Sequence, residues 1–186
     1  VRRIKLTEHH YRLAQEIFER TPVYRKSHRG EAANQVGILG EVIVREALDL
    51  SDIAYDPDFT TTHDLRLTRV GRLEIKTKDR TVAPRPDYEC SLPLYNHEHQ
   101  NAEYFAFVSL ERDKRDTGGG WERFHYAHIV GAANQAMITA HGKVWRTGET
   151  DPSNGTKFWT DCINISIANL KPFDEAIATW KERQVR

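Results

Sequence analysis

Charged residues of complementary type crowd one short segment, Asp64-Leu65-Arg66-Leu67 followed by Gly71-Arg72-Leu73-Glu74-Ile75-Lys76-Thr77-Lys78. Strand side chains alternate between the two sides of a sheet. Leu65, Leu67, Leu73 and Ile75 therefore share one face, and Asp64, Arg66, Glu74, Lys76 and Lys78 share the other. Two carboxylates beside a lysine are what a site needs to hold a hard cation and activate a water. Asp64 and Glu74 are symmetric about position 69, and Gly71 suits the left-handed backbone of a three-residue hairpin loop. Directly opposed residues of an antiparallel pair have Cα atoms about 4.5–5.5 Å apart, so the two acids can share one ion.

The elements that must position this hairpin are legible around it. Thr7 caps a helix running to about Arg20, with Tyr11, Leu13, Ala14, Ile17 and Phe18 as its apolar stripe. Thr21-Pro22 ends it, and a basic connector, residues 24–30, follows. A second helix is expected from about Glu31 to Leu50, with Val36, Leu39, Val42, Ile43, Ala47 and Leu48 buried. Gly37 and Gly40 inside it mark close approach to another element, and Glu41 shares a helix side with Gly37 and Arg45.

Residues 51–63 read as turns, and residues 79–101, with three prolines, as a long irregular stretch. Glu103 to Leu110 is the most strand-like run of the chain. Strands are also expected at 124–130, 143–146 and 161–167, with helices at 132–140 and 174–183.

Length and composition favour one domain over residues 1–186, with 39% hydrophobic and 29% charged residues. No apolar stretch approaches the roughly 20 residues of a membrane span, and the basic start lacks a signal-peptide core. A cytoplasmic protein with no membrane partner is the expectation. Cys90 and Cys162 fit no metal spacing and read as reduced, inert thiols. His97 and His99 lack a visible third ligand, and His125 and His128 fall on opposite faces of a strand. The four tryptophans read as packing residues. Net charge is zero, yet residues 66–86 hold seven basic residues against two acids, centred on the hairpin.

The arrangement of Asp64 and Glu74-Ile75-Lys76, preceded by a helix carrying Glu41, resembles the PD-(D/E)XK nuclease superfamily. The resemblance covers about residues 31–110. It implies an α/β, restriction endonuclease-like mixed β-sheet flanked by α-helices. It also implies a nuclease, an endonuclease for preference, that hydrolyses DNA phosphodiester bonds with Mg²⁺ or Mn²⁺. By that resemblance Asp64, Glu74, the Ile75 main-chain carbonyl and Glu41 hold the metal, and Lys76 orients the attacking water. Lys78, Arg80 and Gln100 become nucleic-acid contacts, and a homodimer is expected. The literal Pro-Asp pair, Pro57-Asp58, leaves Asp58 as an alternative first acid. A binding member of the fold that no longer cuts, and a protein whose charged hairpin is only a wet sheet face, also stay open.

Overall fold

The computed structural model describes residues 1–20, 30–57, 63–94 and 102–185. The connector at residues 24–29, Asp58, the pair His97 and His99, and Gln100 lie outside the described residues. Strands β1 (Arg2–Lys5), β2 (Tyr55–Pro57), β3 (Leu65–Leu67), β4 (Gly71–Arg80), β6 (Tyr104–Arg112) and β7 (Phe124–Asn134) form a mixed sheet in the order β1-β7-β6-β4-β3-β2. Strands β5 (Glu89–Pro93), β8 (Lys143–Trp145) and β9 (Cys162–Ser166) form a smaller one, β5-β9-β8. The helices are α1 (Glu8–Arg20), α2 (Gly30–Asp49), α3 (Gln135–His141) and α4 (Phe173–Val185). The protein is α/β, as expected.

The large sheet buries both faces. Leu65, Leu73, Ile75, Ala106, Val108, Leu110, Ala127 and Ile129 form one core with α2 and with Phe173, Ala176, Ile177 and Trp180 of α4. Phe105, Phe107, Val130 and Ala133 form a second core on the other face with Cys90, Leu92 and Ile165 of the small sheet. A sheet covered twice has near-continuous apolar strands, which is why β6 is the clearest strand in the sequence.

Several boundaries differ from expectation. β1 is built from Arg-Arg-Ile-Lys, a run too charged to read as a strand, because it lies at the sheet edge and pairs only with β7. β2 is likewise a short edge strand inside the segment expected as turns. Residues 79–101 are not irregular throughout: β4 runs to Arg80, and β5 alternates buried and half-buried residues. Pro93 is tolerated there because β5 is an edge of its sheet. Residues 132–134 belong to β7 rather than to a helix, since pairing with β6 and Lys171 holds them extended. Asn134 then caps α3, its side chain accepting from Met137 N–H. Trp121, Trp145 and Trp180 are buried, but Trp159 is 78% exposed and packs no core. Both cysteines are free and buried.

Among the described residues, no helix is long and apolar enough to cross a membrane.

Candidate active site

The hairpin register is the one its symmetry requires. Leu65 pairs with Leu73, Arg66 with Arg72 and Leu67 with Gly71. The loop is residues 68–70, and its left-handed position is Arg69 at φ 59° rather than Gly71, which opens β4 at φ 141°, a value that favours glycine. The ladder ends at Leu65, so Asp64 sits in the bend before β3 rather than on the strand. It stays tied to β4 all the same: its N–H donates to the Leu73 carbonyl at 3.1 Å, and its carboxylate accepts from Ile75 N–H at 2.7 Å. A side chain thus supplies the acceptor that a longer β3 would have offered through its main chain.

Glu74 follows Leu73 on the opposite face of β4 and is 4% exposed. Lys76 donates from Nζ to its carboxylate at 2.6 Å. Of the charged set, Glu74 is buried, Asp64 and Lys76 are half-buried and Arg66 is exposed.

Glu41 arrives from α2. Gly40 lets that helix touch β4, since a Cβ there would lie 1.9 Å from Thr77 Oγ1. Gly37, by contrast, has nothing within 4 Å, so only Gly40 meets the expectation of close approach. Arg45, one turn on, donates to Glu41 at 3.2 Å. The i,i+4 spacing announces that pair, although the shared helix side alone assigns Arg45 no role.

Three carboxyl groups here feel one another. Asp64 is held well above the usual carboxylate range by burial first, then by Glu74 and Glu41, against the Ile75 N–H bond and Lys76. Glu41 is pushed up to about 7 by burial, with Arg45 opposing and Glu74 adding to the rise. Buried like charges of this kind are the electrostatic mark of functional sites, and structural networks can produce it as well.

The donor set suits a hard divalent cation: carboxylates alone, in a site that already strains under negative charge. Among the described residues, no three acidic, histidine or cysteine side chains converge as a ready-made metal cage. Asp64 and Glu74 are engaged instead with Ile75 N–H and Lys76.

Lys78 and Arg80 continue the face of β4 but turn to the main chain of β5. Lys78 Nζ and an Arg80 Nη each donate to the Glu89 carbonyl at 2.9 Å, and Arg80 Nε donates to Ser109 Oγ at 3.2 Å. Burial lowers the pKa of both, with Arg80 lowering Lys78 further. Asp64, Glu74, Ile75, Lys76 and Glu41 are thus brought together, while Lys78 and Arg80 stand along the same strand without touching the acids. No protein-family model matches the chain, and no curated protein matches it.

Proposed function

We propose that the chain is a metal-dependent nuclease that hydrolyses phosphodiester bonds of DNA, cutting internally, on a restriction endonuclease-like fold. One observation carries the reading: Asp64, Glu74 and Glu41 raise or share a common negative field in a largely buried site that also holds the Lys76 ammonium, 2.6 Å from Glu74. The chain order supports it, with α2 followed by antiparallel β2, β3 and β4 and with β6 laid parallel to β4.

Asp64, Glu74, Glu41 and the Ile75 carbonyl would hold Mg²⁺ or Mn²⁺, which when bound acidifies a water and offsets charge on a phosphate. The remaining work falls to the chain. Lys76 is a compact, half-buried cation that can orient an attacking water and face the charge that develops on phosphate oxygens. Asp64 is fixed by Ile75 N–H, so its second oxygen is presented in one orientation. Burial of Glu74 keeps bulk water from its carboxylate, which strengthens its pairing with Lys76.

The test is plasmid cleavage with Mg²⁺ or Mn²⁺ by the wild type and by Asp64→Asn, Lys76→Ala and Asp58→Asn, with circular dichroism to verify folding. Cleavage lost in the first two and kept in the third is expected. Full activity in folded Lys76→Ala would sink the assignment. Activity kept in Asp64→Asn and lost in Asp58→Asn would move the first acid to Asp58. Binding of DNA in EDTA without any product in Mg²⁺ would favour a member of the fold that no longer cuts.

A further inference from the structure

Along one side of α2 runs a row of alternating charge, Glu41, Arg45 and Asp49. Arg45 stands between two acids, each four residues away, the spacing at which helix side chains meet. It takes one of them: an Arg45 Nη donates to Glu41 at 3.2 Å. Asp49 is bonded instead by the Tyr55 hydroxyl of β2.

Most pairs of this spacing lie in solvent and contribute little. This one is largely withdrawn from it, the Arg45 and Glu41 side chains being 20% and 22% exposed. The Arg45 Nε is buried and has no hydrogen-bond partner. Among the described residues the guanidinium makes that single bond, and Glu41 is its only carboxylate. A buried guanidinium with an unbonded donor is costly. Apolar side chains of similar volume often replace such a pair without loss. The pair by itself therefore gives no reason for an arginine at this position.

The neighbouring acids do. After burial itself, Glu74 and Glu41 push the Asp64 carboxyl up, and Glu74 does the same to Glu41 against Arg45. Two cations answer these three acids, Lys76 on Glu74 and Arg45 on Glu41. The charges therefore come close to balance before any ion arrives. A divalent cation entering the site has to take Glu41 from a guanidinium and accept the repulsion of its charge, where water screens both poorly.

We propose that Arg45 is the resident counter-ion of the acid site: it occupies Glu41 and, by its charge, keeps the site from filling at low concentrations of divalent cation. The inference rests on the nuclease reading above for its ion, and its test separates the two. Removing a structural contact from a metal site weakens the ion's hold, whereas removing a competing cation tightens it. The probe is Mn²⁺ alone, its free concentration followed by electron paramagnetic resonance at pH 8 without DNA. The proteins are the wild type, Arg45→Gln, Arg45→Met, Arg45→Lys and Asp64→Asn, with circular dichroism to verify folding. Arg45→Gln should bind Mn²⁺ about tenfold more tightly than the wild type, the size of one charged hydrogen bond no longer surrendered. Arg45→Met, which fills the same space without charge, should do likewise. Arg45→Lys keeps the charge and should bind as the wild type does. Equal or weaker binding in folded Arg45→Gln and Arg45→Met, or an equal gain in Arg45→Lys, would overturn the counter-ion. Mn²⁺ binding that Asp64→Asn leaves unchanged puts the ion elsewhere and overturns both readings. Tighter binding in Arg45→Gln without DNA cleavage by the wild type supports the counter-ion and removes the nuclease. Cleavage by the wild type with unchanged Mn²⁺ affinity in Arg45→Gln removes the counter-ion and leaves the nuclease.

Discussion

Replacing Glu41 by glutamine should stabilise the metal-free protein at pH 8 and hardly alter it at pH 4.5. The carboxyl is pushed from an ordinary value of about 4.5 up to about 7, by burial and then, against Arg45, by Glu74. The native state therefore keeps a proton that the unfolded chain releases. Stability falls as pH rises through that window, and the loss is complete above it. At about 1.4 kcal/mol per pH unit the gap sets a ceiling of roughly 3 kcal/mol. About a fifth of the Glu41 side chain reaches solvent, 22%, and the glutamine gives up the charged bond from Arg45. The expected gain is thus about 1–2 kcal/mol at pH 8. Urea denaturation followed by tryptophan fluorescence, in EDTA at both pH values, measures it. A Glu41→Gln protein less stable than the wild type by the same amount at both would refute the reasoning, because the carboxylate would then contribute packing and not repulsion. Adding Mg²⁺ extends the experiment: a bound ion stabilises the native state by mass action, so the wild type should gain and the variant should gain less. Equal gains would put the ion elsewhere.

The two helix glycines should respond in opposite directions. Gly40→Ala drives a methyl to 1.9 Å from Thr77 Oγ1 and should cost about 2–3 kcal/mol in urea denaturation while displacing Glu41. Gly37→Ala meets nothing and should gain about 0.5–1 kcal/mol. At the hairpin, Glu103 accepts from the Arg72 N–H and guanidinium, both at 2.7 Å, and those bonds hold its carboxyl down at about 2. A folded value below the unfolded one means stability that is present above about 4.5 and lost as pH falls through about 2. The side chain is 46% exposed, so screening reduces the effect to about 1 kcal/mol or less. Glu103→Gln should show that loss already at neutral pH and a flatter acid titration by circular dichroism; an unchanged acid limb would remove the argument.

Alternation alone was enough to assign the hairpin faces and its register, since a period of two admits one buried set, and Leu65, Leu67, Leu73 and Ile75 are that set. The long helix with Glu41 was legible from its stripe; its two glycines carry the same cost in sequence, and only the packing on Thr77 singles out Gly40. The edge strands were not. β1, β2 and β5 are held by a partner on one side only, so their residues need not look like strand residues, and prolines and arginines stand in them. What lay wholly beyond the sequence was the environment of the charges. Glu74 looks like part of a solvated face until the fold buries it, and β5, which meets Lys78 and Arg80 of the same strand, comes from a segment that reads as loop. Likewise the sequence did not announce that Lys78 and Arg80 each give a donor to the Glu89 carbonyl of β5. Residue types and local period determine which side chains share a face. Burial, Coulomb coupling and the partner of each donor depend on which distant strand lands there, and that is settled by the tertiary fold.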